Sequence, residues 1–236
     1  MIEIHGIDYT EYVDIVGTAH FTRRSLKDVR MAIRLLKPSD VAIELDWVRF
    51  RWLNTTCIGC SKRGSCTGVC EFIEAVDALG NVDTNIWLVD MTEREIRKRL
   101  RENRLKYGNS RPELREHPQS NDYKTVALWE KGLKEKAIDY SKRKLKNIQN
   151  MNPSLWNVLI EERDTLMSAR LAWITSENID HGKQSKILTL VGAAHVEGIN
   201  NLLCNPKRIR DNLRRFNLPF SKPTLIRRVE VTVQGE

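Results

Sequence analysis

Residues 12–45 read YVDIVGTAHFTRRSLKDVRMAIRLLKPSDVAIEL. Tyr12–Val16 is an apolar, β-branched run that stops at Gly17. Ser25 opens a helix, with Asp28 three residues on in the capping-box position. Val29, Ala32, Ile33, Leu35 and Leu36 recur at helical spacing along one face. Pro38-Ser39 closes that helix, and Val41–Leu45 is a short buried strand. Strand, helix and strand over about thirty residues make a βαβ unit, which pairs its strands in parallel with a right-handed crossover.

Outward from this unit the pattern continues. Met1–Ile7 alternates like a first strand. Asp46–Leu53 reads as helix, Cys57–Cys70 as a cysteine-rich segment, Glu71–Leu79 as helix and Asn85–Met91 as strand. Thr92 and Glu95 form a capping box that opens a helix to about Tyr107, and a turn-rich loop covers Gly108–Pro118. One charged helix is expected over about Tyr123–Gln149. Asn152 then caps another, with Pro153 at its first position, running to about Asn178. After Gly182 come a buried strand at Lys186–Val191, helices near Val196–Leu203 and Lys207–Phe216, and an edge or terminal strand at Leu225–Val233. Strands at both ends with helices between make an α/β fold with a helical insertion. No linker splits the chain, so residues 1–236 are read as one domain, with a Cys-rich insertion at about 55–71 and a basic helical insertion at about 92–150.

Composition narrows the class. Of 236 residues, 41% are hydrophobic and 30% charged, which excludes a disordered chain, a collagen and a disulfide scaffold. The longest apolar stretches, such as Ile187–Val196, are half the ~20 residues a transmembrane helix needs. The first twenty residues hold Glu3, Asp8, Glu11 and Asp14 and no Lys or Arg, unlike a signal peptide. A cytoplasmic globular protein is therefore expected, with association of identical copies left open. The net charge of +8 is local: Arg94–Lys146 carries 17 basic and 8 acidic residues. Such a run is either a solvated helix face laced with i,i+4 pairs or a footprint for an acidic partner. No zinc-finger His pair, RNP string or P-loop accompanies it.

The chemistry is carried by a near-repeat. Val16-Gly17-Thr18-Ala19-His20 and Val191-Gly192-Ala193-Ala194-His195 each follow an apolar strand and precede a helical stretch. In α/β sheets ligands bind at the carboxyl ends of strands, where both histidines would sit. Glu44 follows the buried run Val41–Ile43 and occupies the same kind of position. A carboxylate there costs several kcal/mol to desolvate unless it is paired or metal-bound. Two His and one carboxylate suit a divalent metal with an open position, and such a metal lowers the pKa of bound water and polarises carbonyls. Mn²⁺, Co²⁺ or Zn²⁺ at His20, His195 and Glu44 is the expectation. A third motif, Glu161-Glu162-Arg163-Asp164, sits on an otherwise apolar helix. Glu162 and Arg163 are candidate acid/base and oxyanion-stabilising groups, and a local salt-bridge cluster is the other reading.

Gly17–His20, Val41–Leu45, Glu162–Asp164 with Met167, and Val191–His195 with Gly198 together resemble the TraB family, which includes pheromone-shutdown proteins and is related to the Tiki metalloproteases. The match runs in order from about residue 12 to 203. The resemblance implies two related β/α halves around a central sheet, as in the wider superfamily of erythromycin esterases and ChaN-like proteins. It also implies a metal-dependent hydrolytic site, of the metallopeptidase kind in the Tiki branch, acting on a peptide or other small carbonyl substrate. By this likeness His20, His195 and Glu44 are metal or catalytic residues, with Glu162 and Arg163 in support.

Outside that pattern, Cys57, Cys60, Cys66 and Cys70 fall within fourteen residues. In a cytosolic chain such a cluster favours a metal, structural Zn²⁺ or an iron–sulfur cluster, over disulfides. Cys204 stands alone and reads as a small buried residue. The competing function is a binding module: basic helices on an acidic partner such as nucleic acid, with the cysteines as a structural clip.

Overall fold

The computed structural model describes residues 2, 4–57, 59–64, 69–79, 83–107, 123–183 and 186–226. It is an α/β protein built on one mixed five-stranded sheet. Strands β1 (Val13–Thr18), β2 (Asp40–Ile43), β3 (Asn85–Leu88), β4 (Ile187–Gly192) and β5 (Thr224–Ile226) lie in the order β1-β4-β2-β3-β5. The first four are parallel, and β5 closes the β3 edge antiparallel. β1 and β2 are thus parallel but do not pair as the βαβ reading expected. β4, wholly buried, lies between them, with Gly17 beside Val191 and Ile43 beside Leu190. A strand buried on both faces and both edges gains most from apolar side chains, and Ile187–Val191 is apolar but for Thr189.

Alternation along the strands sends side chains to two cores. Val13, Ile187, Val191 and Ala42 pack under α8 (Arg163–Asp180), α9 (Ala193–Leu203) and α10 (Pro206–Arg215). Val41, Ile43, Ile86, Leu188 and Leu190 pack under α1 (Arg23–Leu36), α2 (Trp47–Cys57) and α3 (Cys70–Ala78). Helices on both faces cover a sheet whose parallel strands all present their carboxyl ends along one edge.

Several local expectations change. Residues 4–7 form no strand; Met1 and Glu3 lie outside the described residues. Thr22, not Ser25, caps α1, its hydroxyl accepting from the Ser25 amide at 3.2 Å. Ser25 instead ties down the turn before it, donating to the Ala19 carbonyl and accepting from the Ala19 amide. The Thr92–Glu95 box forms as read, with both amides satisfied reciprocally at the start of α4 (Glu93–Tyr107). The long charged helix is two, α5 (Tyr123–Glu130) and α6 (Lys134–Met151), because the chain turns at Gly132 with φ +78°. Asn152 caps α7 (Pro153–Trp156) through the Leu155 amide. Between α7 and α8 the coil widens into a π turn over Asn157–Glu162. Cys204 is exposed rather than buried. Of the strand expected at Leu225–Val233, residues 225–226 fall in β5, which starts at Thr224, and residues 227–236 lie outside the described part.

Candidate functional site

Parallel pairing brings the ends of β1, β4 and β2 side by side, and with them His20, His195 and Glu44. His20 sits on the turn after β1, held by the Ser25 hydroxyl. Phe21 follows it at φ +68°, a left-handed backbone that a bulky residue adopts only under tertiary constraint. Glu71, on the fully buried start of α3, takes Nδ1 of His20, and the Thr18 hydroxyl donates to the same carboxylate oxygen at 3.2 Å. His195, in the first turn of α9, meets Asp164 through Nδ1 at 2.5 Å. An ionised carboxylate only accepts, so each ring carries its proton at Nδ1 and keeps Nε2 for the crevice.

Both Nε2 atoms turn toward the third residue. Nε2 of His195 lies 3.4 Å from Glu44 Oε1. A Cβ placed on Gly192 would stand 3.2 Å from His20 Nε2 and 3.4 Å from Glu44 Oε2. Gly192 therefore lets the two groups approach over bare backbone, and its amide donates to Glu44 Oε2 at 2.6 Å. Arg163 binds the other oxygen, Oε1, through Nη2.

Arg163 also grips Asp90 through Nε and Nη2, at 2.9 and 2.7 Å. Asp90 lies two residues past the end of β3, beside Glu44, which directly follows β2. Arg49 on α2 reaches Asp90 at 2.8 Å and pairs with Asp46. The result is a buried chain of alternating charge, Asp46–Arg49–Asp90–Arg163–Glu44–His195–Asp164. Consecutive helical residues point about 100° apart, so Arg163 takes the middle of this chain and Asp164 its end. The π turn directly before them sets their rotation on α8, a common role for such turns at functional sites.

Electrostatics follow from this pairing. Burial works against charge on His20, but Glu71, by contact and hydrogen bond, raises its pKa above the ordinary histidine value. His195 is raised in the same way: burial and Arg163 oppose the proton, while Glu44 and Asp164 hold it. Burial pushes the Asp164 carboxyl up against the pull of His195. Burial would also raise Glu44 and Asp90. The opposing charges win: His195 and Arg163 lower Glu44, and Arg163 and Arg49 lower Asp90.

Not every expected residue joins. Glu162 is buried but faces α4, where Arg99 binds it at 2.7 and 3.0 Å and Asn103 at 3.2 Å. Cys57 and Cys70 are buried and Cys60 is half-buried; Cys66 lies outside the described residues. In the basic stretch, Lys142 pairs with Glu197 at 2.7 Å and Lys134 with Asp28 at 2.8 Å. Conversely, Glu71 and Asp90 were not singled out from sequence, and Asp164 stood in the third motif without a role. Asp90 had a signal, a carboxylate ending the apolar run Ile86–Val89 as Glu44 ends Val41–Ile43. Glu71 had a weaker one, an acid inside the apolar helix that follows Cys70.

Among the described residues no group of three or more His, Cys, Asp or Glu side chains is disposed to hold a metal ion. Around Glu44, one oxygen is bound by Arg163 and the other by the Gly192 amide.

Gly198 shows how tightly the His195 side is built. A Cβ there would fall 1.9 Å from Asp164 Oδ2 and 2.8 Å from its Cγ. Gly198→Ala is expected to push Asp164 off His195 and to destabilise the fold by about 1–3 kcal/mol, the usual cost of overpacking. Thermal unfolding and the NMR titration of His195 check this. Unchanged values for both would show that Asp164 does not orient the ring.

No family model matches the chain. Among curated proteins it is similar to an uncharacterized protein of Methanocaldococcus jannaschii. The two are 24% identical over 213 residues, covering 78% of this chain and 51% of that protein. The chain thus spans about half the length of the curated relative it matches. No solved structure matches.

Proposed function

We propose that the crevice at the ends of β1, β4 and β2 is the centre of a hydrolase acting on a peptide or other small carbonyl substrate, of the TraB/Tiki type with two related β/α halves. One observation carries the reading: two histidines, each tied at Nδ1 to a buried carboxylate, keep Nε2 near a third, His195 beside Glu44 Oε1 and His20 across Gly192 from Oε2. Structural salt bridges do not need such convergence, and perturbed, buried titratable groups gathered at strand ends are a common mark of a reactive site.

The chemistry is derived from the chain's own groups, with Glu44 held by Arg163 and the Gly192 amide. The His20 side chain is 26% exposed and that of His195 only 5%. His20 is therefore the group that meets water. Its neutral Nε2 takes a proton as water attacks the carbonyl carbon, and Glu71 stabilises the imidazolium that forms. That proton then passes to the leaving group. His195, whose protonated form Glu44 and Asp164 favour, supplies positive charge beside the developing oxyanion. Arg163 is a positioning residue, since Asp90, Glu44 and the Leu159 carbonyl occupy its donors.

A second reading keeps a divalent metal, Mn²⁺, Co²⁺ or Zn²⁺, with His20, His195 and Glu44 as its ligands. What favours it is the carboxylate behind each imidazole, the arrangement that orients metal-bound histidines. It requires Glu44 to give up Arg163. When bound, the metal would lower the pKa of a water and polarise the carbonyl.

The deciding assay uses chromogenic esters and fluorogenic peptides with the full chain, first stripped by chelator and then supplied with each metal. Hydrolysis by the stripped protein is expected. Hydrolysis only with metal, together with a metal equivalent that His195→Ala fails to bind, selects the second reading. No hydrolysis under either condition overturns both.

A further inference from the structure

We propose that the outward face of α1 and α2 docks the protein onto an anionic lipid bilayer. Large apolar side chains are rarely exposed in clusters, and clusters mark interaction surfaces. Among the described residues nine large hydrophobics are exposed, and six of them lie on these two helices: Met31, Leu35, Leu36, Trp47, Val48 and Trp52. Leu35 is 75% exposed, Val48 70% and Trp52 60%. Both helices cover the same face of the sheet and pack against α3 between them, so their outward sides belong to one layer.

The spacing is that of stripes. Lys27, Met31 and Leu35 follow at i, i+4 and i+8 on α1. Val48 and Trp52, and Trp47 and Arg51, follow at i, i+4 on α2. α1 buries its opposite side through Leu26, Val29 and Ile33. The exposed row is therefore a second apolar row that the fold does not use.

Charge selects the partner. The exposed charges of the two helices and of the α1 cap are all basic, including Lys27, Arg34, Lys37 and Arg51. The acid on these helices, Asp28, is buried and occupied by Arg24 and Lys134. Asp46, just before α2, is buried on Arg49. Arg51 lies over the Trp47 ring at 5.9 Å. Tryptophan, aliphatic side chains and arginine exposed on one layer of helices match the headgroup boundary of an anionic bilayer, where rings and aliphatic tips enter the acyl edge and cations meet phosphates. A nucleic acid would use the cations but offers nothing to Leu35, Val48 or Met31.

The test is flotation of the full chain with vesicles of pure phosphatidylcholine and of equal parts phosphatidylcholine and phosphatidylglycerol. Binding to the anionic vesicles alone is expected, with at least a tenfold loss in Arg34→Glu/Lys37→Glu and no loss in Lys142→Glu on α6. Lipids brominated near the headgroup should quench the tryptophan fluorescence, and Trp47→Phe/Trp52→Phe should abolish the quenching while binding persists. Each substituted side chain is exposed, and circular dichroism verifies that the variants fold. Equal binding to neutral vesicles, no binding to either, quenching unchanged in the double Phe variant, or retention only on DNA would each overturn the proposal.

Discussion

Arg163→Met is expected to lose about 3–5 kcal/mol of stability, the usual result of removing one partner from a buried ion pair. The side chains of Glu44 and Asp90 are 6% and 0% exposed, so little solvent screening is available to either once the guanidinium is gone. Asp90 keeps Arg49 and Glu44 keeps His195, which places the effect toward the lower end of that range. For a chain of this size about 3 kcal/mol corresponds to a fall in Tm of roughly 6–12 °C. Arg163→Lys keeps the charge but cannot span two carboxylates as a planar fork does, and should fall between. Thermal and denaturant unfolding give both values. A loss under about 1 kcal/mol for Arg163→Met would mean that the network contributes no more than a surface pair.

The second large effect is on rate. In the ester assay, His20→Ala should lower turnover by about 10²–10⁴-fold, the contribution of a general base. Glu71→Gln is the sharper probe, because it leaves the imidazole in place. His20 must be neutral to act, so the rate should rise with pH through its folded-state pKa, which Glu71 sets above the ordinary histidine value. Glu44 adds to that raised value, while burial and Arg163 oppose it. Without Glu71 those opposing influences gain, so the rise should move to lower pH while the plateau falls. A profile that keeps its midpoint in Glu71→Gln would remove Glu71 from the mechanism. A merely structural Glu71 would lower stability and leave the midpoint where it was.

These outcomes bear on residues of unequal legibility. His20, His195 and Glu44 could be found from the chain alone, because a polar residue within three positions of the end of a buried strand is placed by that strand. Glu162 and Arg163 were read together, yet neighbours on a helix face different ways, and only Arg163 entered the crevice. Nothing local says which of them turns inward. The answer lies in a π turn, and the sequence Asn157–Glu162 has no punctuation that announces one.

The sequence by itself determined the alternation of strands and helices, the capping at Thr92 and Asn152, and the strand-end position of three site residues. These depend on periodicity, turn chemistry and hydrogen bonding within a few residues. The tertiary structure alone decided that β4 enters between β1 and β2, so that histidines 175 positions apart share one crevice. It also supplied the partners: Glu71 for His20, Asp164 for His195, and Asp90 to hold Arg163. Their choice is settled by which buried charge lies within reach once two layers of helices close on the sheet. Desolvation makes such pairing compulsory, and distance along the chain carries no information about it.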